Sequence, residues 1–297
     1  MEHPLVSVVI RTYNEARHLR QLLEAIAAQD SEVFSAEAVL VDSGSDDSTL
    51  EIAAAHGCRI VHISREEFTF GRSLNLGCEH ARGQYLVFVS GHCIPARRDW
   101  IARLVEPLAH GAAAYSYGRQ IGNGESKFSE CQLFRKYYPD TSRIPQEGFF
   151  CNNANAAIPR SVWAEHRFCE DITGLEDMDL GRRLHESGLK LAYVSEAPVY
   201  HLHAESWGQV KRRYEREAIA LQKIMPQVHV SFTDFLRYFS SAVLLDMGAA
   251  LQEKKLLSLF TEIIAFRFMQ FWGSYCGNNE HRRISREMKE RYFYPRY

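Results

Sequence analysis

An unbroken apolar run at residues 85–89 (YLVFV), halting at Ser90-Gly91-His92-Cys93 before Pro95, constrains the fold more than any other stretch. A strand buried on both faces of a parallel sheet reads this way, without polar alternation. Pro95 blocks further extension, because it has no amide hydrogen to give a ladder. Open α/β sheets bind ligands beyond the carboxyl ends of their strands, so His92 stands where such a fold places its chemistry. A loop histidine without a role is the plainer alternative.

The same pattern recurs upstream. Residues 6–10 form a β-branched run ended by residues 11–15. Leu19, Leu22, Leu23, Ile26 and Ala27 then fall at i, i+3, i+4, i+7 and i+8, an amphipathic helix that Asn14 can cap. Residues 38–41 and 59–63 predict further strands around a helix that stops at Gly57, and 72–81 predicts a helix stopped by Gly83. Strand and helix alternating at this spacing mean a parallel, right-handed βαβ sheet, a Rossmann-like α/β fold. Beyond it, a helix capped by Asp99 is expected through Leu108, with others near 128–138, from Ser161 and over 177–187. Strands or extended chain are expected at 112–117, 149–158, 190–194 and 198–202. Residues 118–148 are polar and irregular, an excursion of the kind that faces a substrate. From 206 onward the pattern is helical, so a catalytic domain over 1–205 and a helical region over 206–297 are expected.

Composition narrows the class. A net charge of −2 supplies no field for nucleic acid. The seven cysteines form no C-x-x-C, which reads as reduced thiols in a cytoplasmic protein. The start lacks a signal peptide's basic and apolar segments. No window reaches the roughly 18 uncharged apolar residues of a membrane span.

Several residues could carry chemistry. Glu15 and Asp42 lie just past adjacent strands, where an acid can accept from a nucleobase or ribose. No G-x-G-x-x-G or G-x-x-x-x-G-K-[ST] accompanies them, which argues against a dehydrogenase or a phosphate loop. Glu176, Asp177 and Asp179 open a helix; the helix dipole favours acids there, yet a carboxylate in a cleft could also deprotonate a hydroxyl. His201 and His203 share one face of a short strand, and with His92 could ligate a metal or bind phosphate.

Four blocks, in order over residues 6 to about 205, together resemble the family 2 inverting glycosyltransferases, in a bacterial polysaccharide, rhamnosyltransferase-like branch. They are VSVVIRTYNEARHL, VLVDSGSDDSTLEIA, GRSLNLGCEHARGQYLVFVSGHCIP and GLEDMDLGRRLHESG. The resemblance implies a glycosyltransferase A-type sheet and transfer of a sugar, with inversion, to a hydroxyl of a glycan or polyprenyl-linked acceptor. The donor would be a UDP-, TDP- or GDP-linked sugar. Thr12, Tyr13, Glu15 and Asp42 would hold the nucleotide, with Arg72 near the diphosphate. Asp177 would be the base, assisted by Glu176, and His203 a metal or diphosphate ligand. Arg11 stands where many members have proline and could add a cation near the nucleotide. Ser90-Gly91-His92-Cys93 replaces the family's acidic D-x-D. Either His92 helps hold a divalent metal, Mn²⁺ more readily than Mg²⁺, or it binds phosphate and no metal is needed. A catalytically silent sugar-nucleotide-binding protein is the main alternative, and a nucleotidyltransferase a second.

The apolar helices after 206 could pack on the catalytic domain or form a homodimer. Residues 281–297 carry six Lys or Arg against two Glu, with four aromatics among them. That composition suits an anionic bilayer and suggests peripheral docking on the inner face of the cytoplasmic membrane.

Overall fold

The computed structural model describes residues 5–30, 34–280, 291 and 293. Two compact units divide the chain: Met1–Asn123, Phe134–Asp171 and Glu176–Leu202 form the first, and Gly124–Leu133, Ile172–Leu175 and His203–Tyr297 the second. The elements in order are β1 (Leu5–Thr12), α1 (Ala16–Ala27), β2 (Ser35–Asp42), α2 (Thr49–Ala55), β3 (Arg59–His62), α3 (Phe70–His80) and β4 (Tyr85–Ser90). Then follow β5 (Cys93–Pro95), α4 (Trp100–Ala109), β6 (Tyr115–Ile121), α5 (Phe128–Tyr137), β7 (Asn155–Pro159), α6 (Arg160–Glu165), α7 (Glu176–Glu186) and β8 (Leu191–His201). The chain continues through α8 (Trp207–Ile224), α9 (Phe232–Gln252) and α10 (Leu256–Asn278).

The first unit is built on one eight-stranded sheet, ordered β3-β2-β1-β4-β7-β6-β8-β5. Its first four strands are the expected parallel set, with β1 between β2 and β4. Val6, Val8, Val9 and Ile10 of β1 and Leu86 to Val89 of β4 are buried, as their unalternating sequence requires. The α/β, Rossmann-like expectation therefore holds. The sheet is nevertheless mixed, because β7 enters antiparallel to both β4 and β6.

Other details differ from expectation. The two short strands expected at 190–194 and 198–202 are one continuous β8 of 11 residues. It runs parallel to β6, and that pairing absorbs a register shift between Gly118 and Gln120. The chain after β4 adds the three-residue β5, antiparallel to β8 at the sheet edge. Asn14 does not cap α1; its φ is +55°, and Asp47 of the following loop accepts from the Ala16 amide at 3.1 Å. Asp99 makes no side-chain cap on α4 and pairs instead with Arg97 and Arg103.

In the second unit α8, α9 and α10 pack together. A Cβ at Gly277 would lie 2.1 Å from the Glu215 carbonyl oxygen, so only glycine allows α10 this close to α8. Arg267 is buried and bonds both carboxylate oxygens of buried Asp246, at 2.7 and 2.8 Å. Removing either partner would strand the other's charge in the interior. Among the described residues no helix is long and apolar enough to cross a membrane.

Candidate active site

The carboxyl ends of β1, β2 and β4 meet the start of α7, and three groups of side chains lie there. The first comprises the turns after β1 and β2. Asn14 Nδ2 donates to Asp46 Oδ1 at 2.7 Å, and the Asp46 amide donates back to Asn14 Oδ1 at 2.9 Å. Asp42 is fully buried and accepts four bonds: from Thr12 Oγ1 and Ser45 Oγ at Oδ1, and from the Gly44 and Ser45 amides at Oδ2. Its acceptor capacity is thus committed to shaping its own turn, which reverses at Gly44 with φ +93°. Bonding to a nucleobase would require Asp42 to give up one of these donors. Arg65, which the sequence pattern did not single out, stacks 5.0 Å over the Tyr13 ring and donates to its hydroxyl at 2.9 Å. Arg72 is more exposed and pairs with Glu67 at 3.2 Å.

The second group centres on His92. Gly91 brings Glu15 close, since a Cβ there would meet Glu15 Cγ at 2.8 Å. His92 Nδ1 lies 2.9 Å from Glu15 Oε1, and His92 Nε2 lies 3.2 Å from His201 Nε2. Tautomers follow from a chain of hydrogen bonds. The Ala154 amide fixes Asn152 Oδ1, which accepts from Gln120 Nε2, so Gln120 Oε1 faces His201 Nδ1 at 2.7 Å. With both Nδ1 protons given to Gln120 and Glu15, two neutral rings would turn Nε2 lone pairs toward each other. A shared proton or a metal between them would resolve that repulsion. Two nitrogens each about 2.1 Å from one metal stand roughly 3.2 Å apart, so the pair fits a metal's coordination sphere.

His203 belongs to the second unit. There its Nδ1 is 2.7 Å from Glu130 Oε1, which also accepts from Arg213 Nη2 at 2.8 Å. The pairing with His203 and Arg213 outweighs burial and holds the Glu130 carboxyl down at about 2.

The last group is the acid pair opening α7. Asp177 is buried, with Oδ2 accepting from the Asn153 amide at 2.9 Å and Oδ1 from the Met178 amide at 2.7 Å. Glu176 Oε1 pairs with Arg11 Nη1 at 3.0 Å and lies 3.4 Å from Asn153 Nδ2. Tyr115 in turn donates to Asn153 Oδ1 at 2.5 Å. Burial, and then the adjacent Glu176 charge, raise the Asp177 carboxyl to about 7, against the pull of the two amides and Arg11. Asp179, the third acid, faces away into pairs with Arg182 and Arg183. Asn153 escaped the sequence reading, although the run 151–155, CNNANAA with 156–157, was unusually rich in asparagine.

A family model, glycosyl transferase family 2, matches residues 7–167. Two O-antigen chain rhamnosyltransferases, from Salmonella typhimurium and Salmonella anatum, are each 24% identical to this chain, covering 91% of it and 90% and 91% of their own lengths. A mannosyltransferase from Pyrobaculum calidifontis, solved with GDP-Man and Mn²⁺, superposes with a TM-score of 0.63 at 17% identity, over 94% of this chain and 88% of its own.

The raised Asp177 carboxyl has a stability consequence. Between about pH 4 and 7 the folded protein holds a proton that the unfolded chain has released, so this group's contribution to stability falls as pH rises through that window. Relative to wild type, Asp177→Asn should gain roughly 2–4 kcal/mol between pH 4 and pH 8. Denaturant unfolding at both pH values measures this, and an equal difference at the two would refute the assigned environment.

Proposed function

The chain belongs to glycosyl transferase family 2, and on that premise we propose that it transfers a sugar from a nucleotide diphosphate donor to an acceptor hydroxyl, with Asp177 as the base. The observation that carries this is a buried carboxylate tuned close to neutral pH, where it can accept a hydroxyl proton yet still be ionised. The hydroxyl oxygen then attacks the anomeric carbon in line, the bond to the diphosphate breaks, and configuration inverts. Glu176, anchored by Arg11, flanks the base without facing solvent. Thr12, Tyr13 and Glu15 lie on the turn suited to the nucleotide, with Arg65 as an added cation. Asp42 would act indirectly, by shaping that turn, and Arg72 is free to swing from its exposed pair toward the diphosphate. His92 and His201 would hold a divalent ion, Mn²⁺ suiting two imidazoles better than Mg²⁺, and the ion would neutralise the departing diphosphate. The Salmonella relatives, named as O-antigen rhamnosyltransferases, support a deoxyhexose donor and an acceptor in cell-surface polysaccharide synthesis.

Asp177→Asn should lower transfer, and slow donor hydrolysis in the absence of acceptor, by about 10²–10⁴-fold. Binding should persist: UDP, TDP or GDP with Mn²⁺ should raise the melting temperature of mutant and wild type alike. Retained hydrolysis in the mutant would remove Asp177 from the base role. No stabilisation of wild type by any nucleotide would overturn the transferase site.

The second unit supports a peripheral position on an anionic membrane. Over residues 235–278 the exposed charged side chains are Arg237, Lys254 and Lys255, and Lys255 pairs with the half-exposed Glu253 at 3.1 Å. Leu244, Leu245, Leu251 and Leu257 are 69%, 75%, 63% and 97% exposed on the same pair of helices. Exposed apolar side chains with cations on the same helices suit a lipid surface. The basic stretch noted at 281–297 lies, apart from 291 and 293, outside the described residues. Leu251→Asp with Leu257→Asp should reduce flotation with phosphatidylserine vesicles, and undiminished flotation would refute docking by these helices.

A further inference from the structure

The geometry points to Arg11 as a positioning residue that keeps Asp177 usable as a base at neutral pH by neutralising Glu176. This rests on the reading of Asp177 as the base. It moves Arg11 away from the nucleotide-binding role that the family resemblance first suggested.

Arg11 is an unusual residue for its site. It lies between buried Ile10 and Thr12, in register with Val41 on one side and Ser90 on the other. A cation so near the middle of a sheet needs a defined partner, and it has two. Its guanidinium carbon sits 4.8 Å from the centre of the Phe70 ring, and Nη1 reaches Glu176 Oε1 at 3.0 Å. The side chains are 17% and 5% exposed, so the ion pair is poorly screened by solvent. Stacking on one face while pairing in plane suits a guanidinium better than an ammonium.

The reason for a cation here is the carboxylate next door. Glu176 and Asp177 are sequence neighbours, both buried, and two like charges so placed favour one of them staying protonated. Several groups face Asp177. From α7 come Glu176 and the Met178 amide; from the segment before β7 come the Asn153 amide and the Cys151 thiol, which donates to the Asp177 carbonyl at 3.0 Å. From β6 comes Tyr115, acting through Asn153. Burial drives the Cys151 and Tyr115 protons to stay on, so neither adds charge at neutral pH. The charge balance at Asp177 is left to Glu176, which opposes ionisation, and Arg11, which favours it.

The test is the pH dependence of kcat/KM and of kcat for Arg11→Met, Arg11→Lys and Arg11→Met with Glu176→Gln. In Arg11→Met the acid-side apparent pKa should rise by about one unit or more, lowering the rate at pH 7 about fivefold or more while much of it returns at high pH. Arg11→Lys should shift less. Adding Glu176→Gln removes the charge that Arg11 balances and should bring the acid limb back down. A uniformly lower rate with an unmoved limb would make Arg11 merely structural and overturn the proposal. A raised donor KM with an unmoved limb would return Arg11 to the nucleotide and overturn it equally. If Arg11→Met does not fold, the Arg11→Lys shift and its reversal by Glu176→Gln decide the matter. Failure of the underlying reading looks different, since Asp177→Asn would then stay active whatever Arg11 does.

Discussion

Two adjacent carboxylates, Glu176 and Asp177, are held almost out of water at the first turn of one helix, and the surrounding structure is a response to that. Removing an ionised carboxylate from water has an effective penalty of several kcal/mol, recovered only through hydrogen bonds and counter-charge. Each source of compensation comes from a different part of the chain. The α7 start contributes its own Met178 amide and the positive end of its dipole. The segment before β7 contributes the Asn153 amide, and Tyr115 on β6 fixes the Asn153 side chain. β1 contributes Arg11. Compensation is incomplete, since Asp177 stays raised to about 7, and this residual instability suits it to the proposed role of base.

The proposed donor side of the site follows a different logic. Its turns are tied to each other before any ligand arrives, through Asn14 with Asp46 and through the four bonds to Asp42. Such preorganisation lowers the entropy lost on binding. The His92–His201 pair is equally constrained. A backbone amide at Ala154 sets, through Asn152 and Gln120, which nitrogen of His201 carries its proton. As proposed metal ligands, an imidazole pair would be softer and less charged than two aspartates and would shift metal preference accordingly.

What was legible in the sequence was local. Residues 6–10 and 85–89 read as buried parallel strands because burial on both faces leaves no room for polar alternation. The acidic helix start at 176–177 was visible as excess acid. What was hidden depended on partners far along the chain. Nothing in residues 155–159 announces antiparallel pairing with β4, and β8 looked like two strands because Ser195 and Glu196 interrupt its apolar pattern where its pairing with β6 shifts register. Asn14 has a good capping side chain, yet the amide it would have served is bonded by Asp47 from another loop. Asp42 is a local exception: it looked free for a ligand because two of its four donors are the backbone amides of Gly44 and Ser45, which no side-chain pattern announces. The partner of Arg11 lies 165 residues away, beyond any local pattern.

The central claim is that a buried carboxylate activates a hydroxyl for direct displacement at the anomeric carbon. Proton NMR of the first sugar product released or transferred tests it most directly, because the anomeric coupling is read before the free sugar equilibrates. Direct displacement predicts an anomeric configuration opposite to that of the donor. Retention would require a second displacement or front-face attack and would contradict the roles assigned to Asp177, Glu176 and Arg11.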